Sequence, residues 1–272
     1  MIGLLGATGF TGKLVAAELD RRGLAHRRGA RNPERLGALP PSDAAEPFPV
    51  DVGERGRLDA FLDGLDVVIN TVGPFSQMGL PVVEAAVDNG VAYVDSTGEF
   101  GFMNDVYIRF GSAPVAVVPA CGFDYIPGDL AAAIAAADLG QPAEAVTVAY
   151  ELLGMVPSRG TVRSGVGALG DAAEMRPTAR TARFSGGMRS GLQIPWGEDV
   201  TVPRHVAGAD VAVVVGLPGL AVMAPLIPLM VQAARLALPL AGQLVDRLPE
   251  GPPESLRRRA RFTITAEART AS

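Results

Sequence analysis

Residues 1–12 read MIGLLGATGFTG, and the fold turns on how they are read. Ile2, Leu4 and Leu5 form a short apolar run of the kind a buried parallel strand presents. Gly6, Gly9 and Gly12 follow at a regular spacing. Lys13 to Arg22 (KLVAAELDRR) then sets Leu14, Val15, Glu18 and Leu19 at helical intervals, which predicts an amphipathic helix. Strand, glycine turn and helix in that order are the context a dinucleotide-binding turn requires. The glycines let the backbone turn sharply and approach a pyrophosphate. The helix N-terminus adds free N–H groups and the positive end of its dipole. Gly6, Ala7, Thr8, Gly9, Phe10, Thr11 and Gly12 are therefore the first candidate cofactor residues. The alternative is a glycine turn that only packs a helix on a sheet.

Leu24 to Ala30 (LAHRRGA) predicts a second, weakly apolar strand, followed by Arg31, Asn32 and Pro33. An NAD-preferring domain carries an acidic residue at this strand end to bind the ribose 2′-hydroxyl. Here Gly29, Ala30 and Arg31 occupy the place. An arginine fork suits a 2′-phosphate, so Arg31, with Asn32 beside it, points to NADP (NADPH) ahead of NAD. The alternative is a solvated loop arginine.

Further on, Pro33 to Leu39 predicts a short helix, and Phe48 to Val52 a third strand that brings Asp51 and Val52 near the adenine. Leu58 to Leu65 predicts a helix, and Asp66 to Val72 (DVVINTV) a fourth strand broken by Gly73-Pro74-Phe75. Open α/β sheets bind ligands outside the carboxyl ends of their strands, which adds Asn70, Thr71, Val72, Gly73 and Pro74 to the cofactor set. Leu80 to Asn89 predicts a helix ended by Gly90, Val91 to Asp95 a fifth strand, and Val115 to Pro119 a sixth. This alternation predicts an α/β fold, a doubly wound parallel Rossmann sheet over residues 1–127.

After Pro127 the rhythm changes to a second, α+β domain over residues 128–272. Its predicted elements are a helix from Gly128 to Leu139, a strand from Ala145 to Leu153 and a helix from Gly160 to Glu174. Residues 177–210 read as irregular and short-stranded, and strands follow at Val211 to Val215 and Phe262 to Ala266. The apolar segment 211–244 is long enough to span a membrane. Pro218, Pro225 and Pro228, with Gly216 and Gly219, break it into shorter pieces. A buried or ligand-lining helix is expected there, with an interfacial lipid contact as the middle option.

The chain has 272 residues, 48% of them hydrophobic, enough for one large core or two medium ones. A net charge of -5 gives no nucleic-acid footprint, so no nucleic-acid partner is expected. The lone Cys121 excludes a disulfide framework, and the isolated His26 and His205 make a zinc site a poor fit; no metal is expected. No basic n-region with an apolar h-region precedes the first strand, so the cytoplasm is the default compartment.

Taken together, the motifs resemble the saccharopine-dehydrogenase-like oxidoreductases, and within them the branch that includes trans-acting enoyl reductases partnering polyketide synthases. The resemblance is carried by Gly6 to Gly12, Ala30 to Pro33, Asn70 to Phe75, Gly79 to Glu99 and Cys121 to Leu130, and it weakens from Gly160 onward. It implies an NADP-binding Rossmann domain, a second α+β lobe, and hydride transfer between NADPH and an apolar substrate of acyl, lipid or enoyl type. The saccharopine reaction itself fits poorly. It needs groups that hold amino-acid carboxylates and move protons at an imine, and Lys13 is the only lysine. The apolar stretch suits a lipid-like substrate better. The resemblance defines no catalytic residue. Position beyond the strand ends leaves Ser96, Thr97, Glu99, Cys121, Asp124 and Tyr125. Of these, Tyr125 as proton donor and Asp124 as its orienting partner are the catalytic candidates. Their alternatives are helix capping by Asp124 and aromatic packing by Tyr125. Members of the family continue past the point where this chain stops, so a C-terminally truncated second domain is expected. A nucleotide-binding but catalytically silent scaffold, a peripheral membrane or lipid contact, and a homodimer through the second lobe stay open as other readings.

Overall fold

The computed structural model describes residues 1–168, 178–216, 245 and 247–270. They fall into two units, Met1–Gly122 and Phe123–Ser272. The first holds a six-stranded sheet in the order β3-β2-β1-β4-β5-β6, and every neighbouring pair in it is parallel. Its strands are β1 (Ile2–Leu5), β2 (His26–Ala30), β3 (Ala45–Pro49), β4 (Val67–Asn70), β5 (Ala92–Asp95) and β6 (Val117–Val118). Between them run α1 (Phe10–Arg21), α2 (Pro33–Gly37), α3 (Arg55–Leu62), α4 (Phe75–Asp88) and α5 (Phe100–Phe110).

The central strand shows why this sheet is covered on both faces. Successive side chains of a strand point to opposite faces. Leu4 packs with Ala16 and Leu19 of α1 and Leu36 of α2. Leu5 packs with Leu58 and Phe61 of α3 and Val82 of α4. Both leucines are essentially unexposed, and each such burial stabilises the fold by about 1.5–3 kcal/mol.

The elements differ from the sequence expectation mainly at their ends. α1 starts at Phe10, not Lys13, because extended Gly9 is its N-cap and the Lys13 amide already donates to Gly9 O at 2.9 Å. β3 lies at Ala45–Pro49, not Phe48 to Val52. It is the sheet edge, where Pro47 and Pro49 need no second ladder partner. Val50 and Val52, which carry the apolar signal, are buried just beyond it. α4 starts at Phe75, ahead of the expected Leu80, and carries Pro81 inside it. The sequence reading assigns no element to α5, although Phe102, Met103 and Val106 bury one face of it.

The second unit is built on a mixed five-stranded sheet in the order β11-β7-β10-β9-β8. Its strands are β7 (Ala145–Leu153), β8 (Thr178–Phe184), β9 (Gly187–Gln193), β10 (Asp210–Gly216) and β11 (Arg261–Arg269). β7 and β10 are parallel, and the other pairs are antiparallel. α6 (Ile126–Asp138) and α8 (Glu198–Thr201) belong to this unit, as do α7 (Arg159–Ala168) and α9 (Glu254–Arg257). Alternation along β7 sends Val146, Val148 and Tyr150 to the face where Ala132 of α6 and Val213 and Val215 of β10 lie. Ala149 joins Ala182, Phe184 and Val214 on the other face.

Within the stretch expected to be irregular, β8 and β9 form a hairpin closed by Ser185 and Gly186, with Phe184 paired to Gly187. Its polar flanks (Arg180, Thr181, Arg183, Arg189, Ser190) hide the strand pattern while the Ser-Gly-Gly turn signal stands. Residues 169–174 of the expected helix and residues 217–244 of the apolar segment lie outside the described residues. Among the described residues no helix is long and apolar enough to cross a membrane.

Candidate cofactor and active site

The glycine turn is held from two sides. The amides of Gly6 and Ala7 donate to Gly29 O of β2, at 2.9 and 3.1 Å, and that of Gly9 donates to Gly6 O at 2.9 Å. Gly6 has φ +81°, where any other residue is strained. A Cβ on Gly12 would lie 2.0 Å from Gly6 O, so the first turn of α1 sits directly against the loop. No side chain caps α1 at Gly9. Gly9 and Thr11 are exposed, Thr8 and Phe10 half-buried, and Ala7 fully buried. Together they form a backbone cradle of the kind that receives a pyrophosphate.

β2 lies beside β1, so its carboxyl end opens next to this cradle. Of the arginines there, Arg28 is buried against Asp20, His26 and Pro40 O, and Arg27 holds Glu46 and the carbonyls of Phe61 and Asp63. Arg31 is exposed and has no ion pair among the described residues. Its neighbour Asn32 caps α2 by accepting the Arg35 amide at 2.7 Å. Asp51 accepts the Gly53 amide at 2.9 Å and keeps partial exposure, while Val52 is a core residue.

At the carboxyl end of β4 the side chains are largely engaged with one another. Asn70 is fully buried: its Oδ1 accepts the Val72 amide at 3.0 Å, and its Nδ2 donates to the Tyr93 hydroxyl at 3.2 Å. Tyr93 donates to Asp95 at 2.7 Å, and Asp95 also accepts the amides of Thr97 and Ala120. Burial raises the Asp95 carboxyl to about 6, against the pull of those donors. Ala120 is held at φ 58°, a left-handed conformation unusual for a residue with a Cβ. Thr71 hydrogen-bonds Leu5 O through its hydroxyl at 2.7 Å. Thr71 and Val72 are half-buried, as is Pro74, and Gly73 is exposed, so this rim contributes mainly backbone. Glu99 accepts the amides of Phe75 and Ser76, both at 2.8 Å, which puts its negative charge on the N-terminus of α4. The Asn70–Tyr93–Asp95 chain is not evident from the sequence. The signal for it is the period-two placement of Tyr93 and Asp95 on β5.

Asp124 and Tyr125 belong to the second unit. Tyr125 is 2% exposed, its ring set edge-on to Trp196 and packed on Gly197, where a Cβ would come within 2.3 Å of it. The Asp124 carbonyl accepts the Trp196 indole N–H at 3.0 Å. Its side chain is exposed, and burial of part of it raises the carboxyl's pKa. A second acid lies nearby and is absent from the sequence reading. Glu198 is fully buried, accepts the Tyr150 hydroxyl at Oε1, and leaves Oε2 without a partner among the described residues. Burial raises Glu198 to about 8 and also pushes Tyr150 up. Gly128 makes room for the pair, since a Cβ there would fall 1.9 Å from Glu198 Oε1. Cys121 is exposed, and no group of three metal-ligating side chains occurs among the described residues.

Residues 2–114 match the family model of the saccharopine dehydrogenase NADP binding domain. Over 138 residues the chain is 39% identical to trans-acting enoyl reductases of Mycobacterium tuberculosis and Mycobacterium bovis, a match covering 47% of this chain and 33% of each relative. The enzyme of that name from Mycobacterium leprae is 38% identical over the same length. The match thus spans about a third of those relatives' own length. Among solved structures, the chain is similar to apo saccharopine dehydrogenase (L-Glu forming) from Saccharomyces cerevisiae, with a TM-score of 0.52 and 17% identity. That likeness covers 78% of this chain and 54% of the other, and at such identity it bears on the fold alone.

Proposed function

We propose that this chain, whose residues 2–114 match the family model of the saccharopine dehydrogenase NADP binding domain, is an NADPH-dependent oxidoreductase that reduces an apolar substrate of acyl, enoyl type. One observation carries the cofactor part of the reading. The backbone cradle of Gly6 to Gly12, with no side chain capping α1, opens beside an arginine that has no ion pair among the described residues. The amides of α1 and the turn hold the pyrophosphate, and Arg31 pairs with the 2′-phosphate. Asp51 would lie near the adenine, and the Thr71 to Pro74 rim would line the rest of the cofactor. NADPH supplies the hydride. In the second unit Asp124 is the candidate proton donor, an exposed carboxyl whose pKa burial raises. Tyr125 acts by packing, through Trp196 and Gly197. The acyl part of the reading is supported by the named relatives, whose match covers 47% of this chain.

The test is calorimetric titration with NADPH and, separately, NADH. An arginine–phosphate hydrogen bond contributes about 1.5–3 kcal/mol, so Arg31→Ala should weaken NADPH binding by roughly 10- to 100-fold. NADH affinity should stay within about twofold, because it lacks the group that Arg31 touches. An equal loss for both nucleotides would take Arg31 off the 2′-phosphate, and no loss for either would remove it from the site. Nucleotide binding without NADPH oxidation across a panel of enoyl thioesters would assign the chain to the silent-scaffold class instead.

A further inference from the structure

A buried carboxylate stands at the carboxyl edge of the first sheet. The strand register sets Gly29 of β2, Leu5 of β1, Asn70 of β4 and Asp95 of β5 in one row along that edge. Neighbouring strands lie about 4.8 Å apart, so Asp95 is about 10 Å from Leu5, where the glycine turn begins. Arg31, just past Gly29, draws the 2′-phosphate and with it the adenine half toward β2. The half that carries the nicotinamide then extends the other way, over β4 and β5.

Asp95 is 2% exposed. It accepts the Tyr93 hydroxyl and the amides of Thr97 and Ala120, at 2.7, 2.9 and 2.7 Å, and all three donors are neutral. Glu99 adds to the negative field around it rather than cancelling it. The field reaches the surface of the next loop. There the Cys121 amide donates to Asp95 O at 2.8 Å, and the exposed thiol is pushed up by burial and by the Asp95 charge. A buried charge without a counter-charge is costly, and groups so perturbed cluster at functional sites.

We propose that the missing counter-charge is the oxidised nicotinamide ring, and that Asp95 makes the first unit hold NADP⁺ in preference to NADPH. The inference rests on the cofactor reading above. The ring of NADPH is neutral. Transfer of its C4 hydrogen, with both bonding electrons, to a substrate carbon leaves the ring cationic, and a proton from the medium completes the reduced product. A negative charge fixed near the ring favours that change, so NADPH bound here is a stronger hydride donor than free NADPH. Two unit charges about 10 Å apart, at an effective dielectric constant of about 20, shift an affinity roughly tenfold. The competing role for Asp95 is a brace that only holds Ala120 at φ 58°.

Calorimetric titration of the full chain with NADP⁺, NADPH and 2′-phospho-ADP-ribose, which lacks the nicotinamide, separates the two roles. Asp95→Asn keeps an oxygen for the Thr97 and Ala120 amides and removes the charge. It should weaken NADP⁺ roughly tenfold and leave NADPH and 2′-phospho-ADP-ribose within about threefold. Asp95→Glu keeps the charge and should keep the preference for NADP⁺. Wild type offers a second measurement, because burial raises the Asp95 carboxyl to about 6 and acid removes its charge. The preference for NADP⁺ should fall about threefold from about pH 7.5 to about pH 5.5, and not in Asp95→Asn. Tyr93, Glu99 and Cys121 are the titratable groups that act on Asp95 or feel its charge; Tyr93 and Cys121 are both pushed up and stay neutral in that window. The phosphates are common to both forms of the cofactor and cancel. An equal loss for all three nucleotides in Asp95→Asn makes Asp95 a brace and overturns the inference. So does a preference that the variant leaves unmoved or, where circular dichroism shows the variant unfolded, one that acid leaves unmoved in wild type. Failure of wild type to bind any of the three defeats the cofactor reading itself, whereas binding with an unmoved preference defeats this inference alone.

Discussion

Replacing Gly12 by alanine is expected to abolish measurable NADPH binding and to lower the stability of the first unit by about 3 kcal/mol. The alanine Cβ would lie 2.0 Å from Gly6 O and 2.7 Å from Gly6 C, with Ala7 Cα at 2.9 Å. All three are backbone atoms, so no side chain can swing away. The loop must move outward or α1 must retreat, and either opens the cradle. Gly6 cannot absorb the shift cheaply, because its φ of +81° is pinned by hydrogen bonds from its own amide and that of Ala7 to Gly29 O. Gly56→Ala is the matched control. It lies in α3 with nothing within 4 Å of the added methyl, so it should leave binding unchanged and gain a few tenths of a kcal/mol or more from helix propensity. Calorimetry and chemical denaturation of both variants give the comparison. NADPH affinity within twofold of wild type in Gly12→Ala would mean that the turn only packs a helix on the sheet.

The glycine turn was readable from sequence because everything that shapes it lies within about a dozen residues: apolar strand, spaced glycines and amphipathic helix are each local signals. The same holds for β7, whose alternating Val146, Val148 and Tyr150 mark a half-buried strand at the bounds expected. Element ends were less legible, because they depend on partners elsewhere. α4 starts at Phe75 where Glu99, distant in sequence, accepts its first amides, and no local signal before Leu80 carries that information. Asn70 looked like a cofactor contact from its place at a strand end. Its amide is instead engaged by Val72 and by Tyr93 of the neighbouring strand. Glu198 was invisible for the same reason. A glutamate in a polar stretch reads as solvated surface until Tyr150, Gly128 and α6 close over it. Arg31 is the complementary case: its neighbours Arg27 and Arg28 take structural partners, and it is left exposed where the β2 end meets the glycine turn.

The buried acid in the second unit should make stability fall with rising pH, and Glu198→Gln should remove that fall. The ordinary value for Glu198 is 4.5, and burial lifts it to about 8 in the fold. A raised carboxyl favours its proton in the folded state. Its stabilising contribution is therefore complete below about pH 4.5 and is lost as pH rises toward 8. The loss runs at about 1.4 kcal/mol per pH unit inside that window, summing to about 5 kcal/mol. Glutamine keeps an oxygen to accept the Tyr150 hydroxyl but puts an N–H2 where Oε2 has no partner, a fixed cost of about 1–3 kcal/mol. The variant should thus be less stable than wild type in acid and more stable above pH 8, so the two profiles cross. Asp95, another acid raised by burial in the fold, is common to both proteins and cancels in the difference. Urea denaturation followed by Trp196 emission across the window measures it, and parallel profiles would show that Glu198 is ionised throughout. Tyr150→Phe supplies an independent check. The Tyr150 hydrogen bond lowers the Glu198 pKa, so removing it should move the fall to higher pH, toward the value that burial alone dictates.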